Sequence, residues 1–381
     1  MNFKHLTAYL DGLYETEGIP SSDLIVYHHG MEVYRHSAGF QDLATGEPIR
    51  RNALYFMYSA SKLITVTAAL QLLERGKILL NDKLSDYLPE FAEMQVQEKG
   101  ENGKTLLVSA RRPILVRDLF SMTSGLPYDL KAPEIMACMK EHNGAPETAD
   151  VIRAFAKKPL RFHPGEHWMY GFSHDVLLRL VEVVAGEPFS QYAKKNIFDP
   201  VGMYDTYYHL TDELRPRMAA QYAFNKEKGK AEDVGLTNGH IFGPRFESGG
   251  AGTISCLGDY IRFAETLTHM GVTPTGKRIL NARTVELLRT DCLDEHTRPD
   301  FNWSFMKGYG YGLGVRTLVS PVAAGTLSSV GEFGWGGAAG SYIHCDPARE
   351  ISIVYTQHML NNKEDIVHPR LRNLIYAALE D

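Results

Sequence analysis

Ser59 and Lys62 stand three residues apart in LYFMYSASKLITVTAALQLLERG (54–76), ahead of a long apolar run. Residues three apart on a helix share a face, with β-carbons about 5–6 Å apart. A serine hydroxyl is a poor nucleophile until a neighbouring base takes its proton, and a partly desolvated lysine can be that base. A helix start also leaves the serine a backbone N–H without an intrahelical partner, where an oxyanion can settle. S-x-x-K alone is a weak pattern. On spacing alone the plainer reading is favoured, with Ser59 an ordinary N-cap and Lys62 a first-turn lysine reaching for solvent. Ser304 and Lys307 repeat the spacing but run into glycine-rich GYGYGLG and not into a helix. Context separates the two sites. Aromatic Tyr55, Phe56 and Tyr58 precede Ser59, and Leu63, Ile64, Val66, Ala68, Ala69, Leu70, Leu72 and Leu73 follow it on every side of the helical wheel. That pattern predicts a helix buried all round, stopped at Gly76, with little use for a first-turn lysine that has no partner.

The elements around this helix follow from local periodicity. Residues 2–17 read as a helix, and 24–28 with 31–37 as a β-hairpin hinged at His29-Gly30. KLSDYLPEF (83–91) carries a breaker at Pro89, and 93–114 reads as a hairpin with a polar tip at 98–104. A short helix is expected in 116–127, and further helices over 133–142, 147–157, 174–185, 188–197, 257–270 and 282–291. Residues 215–255 read as loop. β character returns in YGLGVRTL, GSYIHCD and EISIVYTQ, before a closing helix at about 366–379. Strands at both ends with helices between predict an α+β fold. An antiparallel sheet is built from the two termini and flanked by helices, with an inserted, mainly helical region. The chain is expected to be one catalytic unit, residues 1–80 and 250–381 forming the α/β part and 81–249 the insertion. A cleft between the two parts is where a site would be expected.

Composition narrows the function classes. The 381 residues are 44% hydrophobic and 23% charged with net charge −6, as expected of an ordinary globular protein. No basic run argues for nucleic acid or an anionic membrane surface, and no apolar stretch reaches the ~20 residues of a membrane span. The amino terminus lacks the apolar core of a secretion signal, and the four cysteines form no C-x-x-C pair, so a cytoplasmic location is expected. None of the 15 histidines forms H-E-x-x-H. No metal or cofactor is expected, and the partner is a small-molecule ester or amide.

Two further segments carry chemistry. PGEHWMYGFSHDVLLRLVEVVAG (164–186) joins a turn to an amphipathic helix through Tyr170, and GEFGWGGAAGSYIHCDP (331–347) is a glycine-rich strand entry centred on Trp335-Gly336-Gly337. Gly171-Phe-Ser173-His-Asp175 imitates a G-x-S-x-G elbow, but Val176 replaces the second glycine. With Ser59-Ala-Ser-Lys62, these segments in this order resemble the serine β-lactamase-like family over roughly residues 20–360. More closely they resemble its esterase branch, family VIII carboxylesterase-like, beside class C β-lactamases and DD-peptidases. The resemblance implies a β-lactamase/transpeptidase-like fold, Ser59 as acylated nucleophile, Lys62 as its base and Tyr170 as the proton shuttle. It implies an oxyanion hole from the N–H groups of Ser59 and Ala338, with Trp335, Gly336 and Gly337 as the third motif.

Two departures bear on the substrate. Trp335 stands where the β-lactamases and peptidases carry a cation for the substrate carboxylate. Phe172 stands where they usually carry an Asn or Ser two residues after the tyrosine, and an Asn there can bind the acyl-amide. Asp175, five residues after the tyrosine, occurs often in the esterase branch, though an acidic residue also suits a helix start. Tyr128, after TSGLP, is a candidate pocket residue. These residues together point to a serine hydrolase of short-chain carboxylic esters, uncharged ones if no other cation replaces the lost one. Arg245 and Arg316 are the arginines near the later motifs that could do so. β-Lactamase, D-amino-acid peptidase or amidase, acyltransferase and a catalytically silent penicillin-binding-like protein remain alternatives.

Overall fold

The computed structural model describes residues 1–100 and 103–380. Helix α1 (Lys4–Glu17) buries Leu6, Leu10 and Leu13 and ends at Gly18, whose φ of 67° only glycine adopts without strain. Strands β1 (Ser21–His28) and β2 (Met31–Asp42) form the expected hairpin, with His29 and Gly30 both at positive φ in the tight turn. Strands β3 (Glu47–Pro48) and β4 (Tyr55–Phe56) lead to a 3-10 turn, Tyr58–Ala60, and then to helix α2 (Ser61–Glu74). Helix α2 is buried from Ser61 through Leu72, as its all-round apolar pattern requires.

The next stretch is irregular. A 3-10 turn at Leu84–Asp86 is followed by a second that starts at Pro89, and β5 (Gln95–Lys99) pairs with β6 (Thr105–Ser109). Residues 101 and 102 of the polar tip expected at 98–104 lie outside the described residues. Helices α3 (Val116–Phe120), α4 (Pro133–Glu141), α5 (Thr148–Ala156) and α6 (Ser173–Ala185) follow. Helix α7 (Phe189–Ala193) runs on through a π turn, Lys194–Phe198, into α8 (Asp199–Val201), past the expected end at 197.

The stretch 215–255, expected as loop, contains β7 (Tyr222–Asn225), β8 (Lys230–Asp233) and β9 (Ile254–Ser255). Its strands are two to four residues long, too short for alternation to register. Helices α9 (Leu257–Thr268) and α10 (Ala282–Arg289) come next. Strands β10 (Tyr309–Tyr311) and β11 (Arg316–Leu318), helix α11 (Pro321–Ala324), and strands β12 (Phe333–Gly336), β13 (Tyr342–Asp346), β14 (Ile351–Thr356) and β15 (Met359–Leu360) precede the closing helix α12 (Glu364–Glu380).

The main sheet has eight antiparallel strands in the order β10-β11-β12-β13-β14-β1-β2-β3. All eight come from residues 21–48 and 309–356, so β1 pairs with β14 (Asp23 opposite Thr356) and the two ends of the chain close one sheet. One face packs on α1 and α12 through Leu24, Val26 and Tyr342; the other buries Ile25, Trp335 and Ile343 in the core that holds α2 and α9. Burial on both faces explains why β1 reads as an unbroken apolar run. Two short pairings reach into the middle of the chain, β4 with β9 and β15 with β7.

Candidate active site

Short tethers fix the entry to Ser59. The Phe56 N–H donates to His358 Nε2 at 3.1 Å, the Met57 N–H donates to the Thr253 carbonyl at 3.0 Å, and Ser341 Oγ donates to the Met57 carbonyl at 2.8 Å. Tyr58 then turns the chain in the left-handed region at φ 47°, a conformation that costs a bulky residue about 1–3 kcal/mol. Its hydroxyl, donating to Gln221 Oε1 at 2.8 Å, helps hold that turn. Ser59 sits half-buried in the 3-10 turn, just before α2.

Lys62, one turn on, is 0% exposed. Its ammonium donates to the Gly250 carbonyl at 2.7 Å, stands 3.3 Å from Ser59 Oγ and lies 4.5 Å from the Tyr170 ring centroid. Asp175 is buried behind this group and not on the cavity wall. Its Oδ1 accepts from Ser248 Oγ at 2.6 Å and from the Gly250 N–H at 3.2 Å, and Ser248 Oγ in turn accepts from the Ala251 N–H at 3.0 Å, which fixes the peptide whose carbonyl receives the lysine. Burial pushes the Asp175 carboxyl up, opposed by the Lys62 charge and these bonds. Only glycine fits at 250, where a β-carbon would fall 2.7 Å from Asp175 Oδ2.

Tyr170 lies against the third motif. Its ring stacks on Trp335 with centroids 5.8 Å apart, and its hydroxyl oxygen accepts from Trp335 Nε1 at 3.3 Å. Tyr128 meets Tyr170 edge-on at 5.5 Å. Gly337 closes the strand end onto the nucleophile turn, since a β-carbon there would lie 2.3 Å from the Met57 carbonyl oxygen. The Gly340 N–H donates to the Gly337 carbonyl at 2.8 Å, which holds the peptide carrying the Ala338 N–H, and Asn362 Nδ2 donates to the Ala338 carbonyl at 2.7 Å on the next peptide. Neither the Ser59 N–H nor the Ala338 N–H has a protein acceptor among the described residues.

These groups face one cavity of about 210 Å³. Ser59, Tyr128, Tyr170, Trp335, Gly336, Gly337 and Ala338 line it; Lys62 lies just beneath its surface. Phe172 does not reach it, being stacked on Phe155 at 4.1 Å behind Tyr128. Ser173 is buried against Ser124, and Ser304 sits exposed on its own 3-10 turn. The cavity also includes His240 and Trp303, from segments with no sequence signal beyond turn residues. Burial and the Lys62 charge hold His240 down at about 4, so its ring is neutral at pH 7.

The arginine question has a definite outcome. Arg245 is exposed and donates to the Ala145 carbonyl on another surface, whereas Arg316 lines the cavity, joined by Arg372 of α12. The condition attached to uncharged substrates, that no other cation be present, is therefore not met. Arg372 is invisible in sequence because helix α12 carries it into the site from 35 positions past the third motif. Among the described residues no cluster of His, Cys, Asp or Glu could hold a metal ion, and no helix is long and apolar enough to cross a membrane.

Comparison with known proteins places this geometry. The beta-lactamase family model matches residues 6–377. Protein Rv1367c of Mycobacterium tuberculosis is 31% identical over 323 residues, covering 83% of this chain and 80% of that protein. Esterase EstB of Burkholderia gladioli is 26% identical over 378 residues, covering 93% and 90%. The solved structure of EstCE1, described as a hydrolase with promiscuous acyltransferase activity, matches with a TM-score of 0.78 at 26% identity, covering 100% of this chain and 98% of its own. The fold is β-lactamase/transpeptidase-like.

Proposed function

The chain belongs to the beta-lactamase family, on its esterase branch, and we propose that it is a serine hydrolase cleaving short-chain carboxylic esters through an acyl-enzyme on Ser59. One observation carries this reading: a fully buried lysine nitrogen 3.3 Å from a half-buried serine hydroxyl that opens on the cavity. Ser59 Oγ attacks the ester carbonyl carbon, and its proton passes to the Lys62–Tyr170 pair in the form that has already given up one proton, a free amine or a phenolate. The carbonyl oxygen becomes an alkoxide that the Ser59 and Ala338 N–H groups receive. Two preorganised donors of this kind lower a barrier by a few kcal/mol. Collapse of the tetrahedral species breaks the bond to the alcohol, which leaves with the proton. Water then attacks the acyl-serine by the same route and releases the acid and free Ser59.

Trp335 supports an esterase over a carboxylate-clamping peptidase, because its indole N–H is spent on Tyr170 and no cation stands at that position. Acyl transfer is the second reading, favoured by the likeness to EstCE1: an alcohol or amine in place of water gives the same chemistry. Fluorophosphonate labelling with mass mapping of the adduct tests the nucleophile. The adduct is expected on Ser59, and Ser59→Ala should lose at least about a thousandfold in kcat. An adduct on Ser173 or Ser304 overturns the reading. Adding candidate alcohols decides hydrolysis against transfer: transfer outrunning hydrolysis makes the protein an acyltransferase.

A further inference from the structure

The cavity that opens at Ser59 does not stop at strand β12. Trp335 faces the core that contains α2, while its strand neighbours Gly334 and Gly336 pair with His344 and Tyr342, and Tyr342 packs toward α12. Glycine at both positions strips side chains from that second face. A β-carbon at 334 would lie 3.1 Å from Arg316 Nη1, and one at 336 would lie 3.7 Å from Glu364 Oε2. The cavity thus rounds the end of β12 and finishes among Arg316, Arg372, Tyr342, Glu364 and His368.

This far end carries more buried positive charge than its own partners answer. Arg372, 4% exposed, spends Nε on Thr326 Oγ1 at 2.6 Å and Nη1 on Tyr342 Oη at 3.2 Å, both neutral. Among the described residues no carboxylate lies within salt-bridge range of it. Arg316 lies over the Tyr342 ring at 4.8 Å and reaches Glu332 only at 3.5 Å, and its buried Nη2 has no hydrogen-bond partner. A guanidinium is rarely buried without an anion, because its desolvation is costly.

Taking the serine-esterase reading as its basis, we propose that this end binds a carboxylate borne by the substrate beyond its ester group. Arg316 and Arg372 supply the charge-assisted hydrogen bonds, and the chain between ester and carboxylate passes Gly336 around the strand end. The carboxylate can belong to the acyl half or to the alcohol half. Glu364 modulates the affinity. Burial, with Asp365 beside it, raises its carboxyl to about 7 against the opposing charge of Arg316. His368, one turn along, is held neutral by burial, at about 3. Around neutrality Glu364 therefore passes from neutral to anionic while the two arginines stay charged. Carboxylate binding is strongest below pH 7 and weakens above it.

The test compares matched substrates on one preparation. In the acyl arm, the p-nitrophenyl monoester of adipic acid is set against p-nitrophenyl hexanoate. In the alcohol arm, 4-carboxyphenyl butyrate is set against phenyl butyrate. In one arm kcat/KM should favour the carboxylate by about tenfold or more at pH 6, the scale of a charged hydrogen bond. Arg372→Gln should abolish that preference. Because removing a buried arginine can unfold the chain, Glu364→Gln is the second variant: its preference should persist as pH rises through 7, where the native protein's declines. A ratio near one in both arms, an undiminished ratio in Arg372→Gln, or identical pH profiles for native protein and Glu364→Gln overturn the proposal. Hexanoate cleavage that depends on Ser59 separates this outcome from failure of the esterase reading, which would abolish turnover of the neutral esters too.

Discussion

Lys62 has two oxygen neighbours in sight, the Gly250 carbonyl and Ser59 Oγ, and the shorter contact is to the carbonyl. That asymmetry suits a base whose position is set from behind, by Asp175 through the 248–250 turn, while its front remains open to the nucleophile's proton. Tyr170 is set from the other side by the indole of Trp335. The two contributions should differ in size. Losing a group that moves a proton costs about 10²–10⁴ in rate, so Lys62→Met and Tyr170→Phe should each lower kcat/KM for p-nitrophenyl butyrate within that range. Trp335→Phe keeps the stacked ring and removes one neutral hydrogen bond of about 0.5–1.5 kcal/mol, so its loss should be about tenfold at most. A Trp335→Phe loss as large as that of Tyr170→Phe would mean that the indole touches the reacting atoms and does more than orient the tyrosine.

Strand β4 is only two residues long, and it matters because of what pins it. His358 accepts the Phe56 N–H at Nε2, so its proton sits on Nδ1, which faces the Ala219 carbonyl at 3.1 Å. Burial lowers this imidazole from the ordinary 6.5 to about 4. The folded state therefore holds His358 neutral where the unfolded chain would protonate it. Its contribution is complete above about pH 6.5 and is lost as pH falls toward 4, at about 1.4 kcal/mol per pH unit. His358→Gln can still accept from Phe56 but does not titrate. Urea unfolding at pH 7, 6 and 5 should show native protein losing stability against this variant by that slope; a constant difference would show that the histidine already carries its proton in the fold.

The same elements show what the sequence can and cannot disclose. The S-x-x-K spacing was legible because both residues lie within one turn, where local geometry brings them together without help. The hairpin β1–β2 and helices α1, α2 and α6 were legible because each has enough residues for its period to show. Strands β4, β9 and β15 were not, because two residues have no period and their pairing partners lie up to two hundred positions away. The position of Phe172, two residues after Tyr170, suggests a substrate-binding residue, but the turn before α6 sends it back to stack on Phe155. The place of Asp175 in the motif suggests a substrate-binding residue but says nothing of depth, and the fold buries it behind Lys62. Glu364, His368 and Arg372 carried no signal, since only the closure of the sheet by both termini lays α12 against the end of β12.

That closure also decides between substrates at the scale of the whole molecule. The wall beside Ser59 comes from the middle of the chain, through Tyr128 and Tyr170, while the anion-seeking end comes from β11 and α12. The two regions lie on opposite faces of β12. A β-lactam holds its carboxylate rigidly beside the scissile amide, on the face where this protein has Trp335 stacked on Tyr170 and, apart from Lys62 at the nucleophile, no cation. Its acyl-amide would look for a side-chain partner where Phe172 is packed away. Polar groups left unmatched in this way are the main means by which a site rejects a ligand. Each missing charge-assisted bond is worth about 1.5–3 kcal/mol, roughly tenfold to a hundredfold in selectivity. A flexible ester pays no such penalty, because its chain can turn the strand end at Gly336. We therefore expect kcat/KM for p-nitrophenyl butyrate to exceed that for nitrocefin by at least about a hundredfold on the same preparation. Nitrocefin turning over faster would mean that a cation other than Lys62 reaches the substrate carboxylate beside Ser59, and would reassign the chain from the esterases to the β-lactamases.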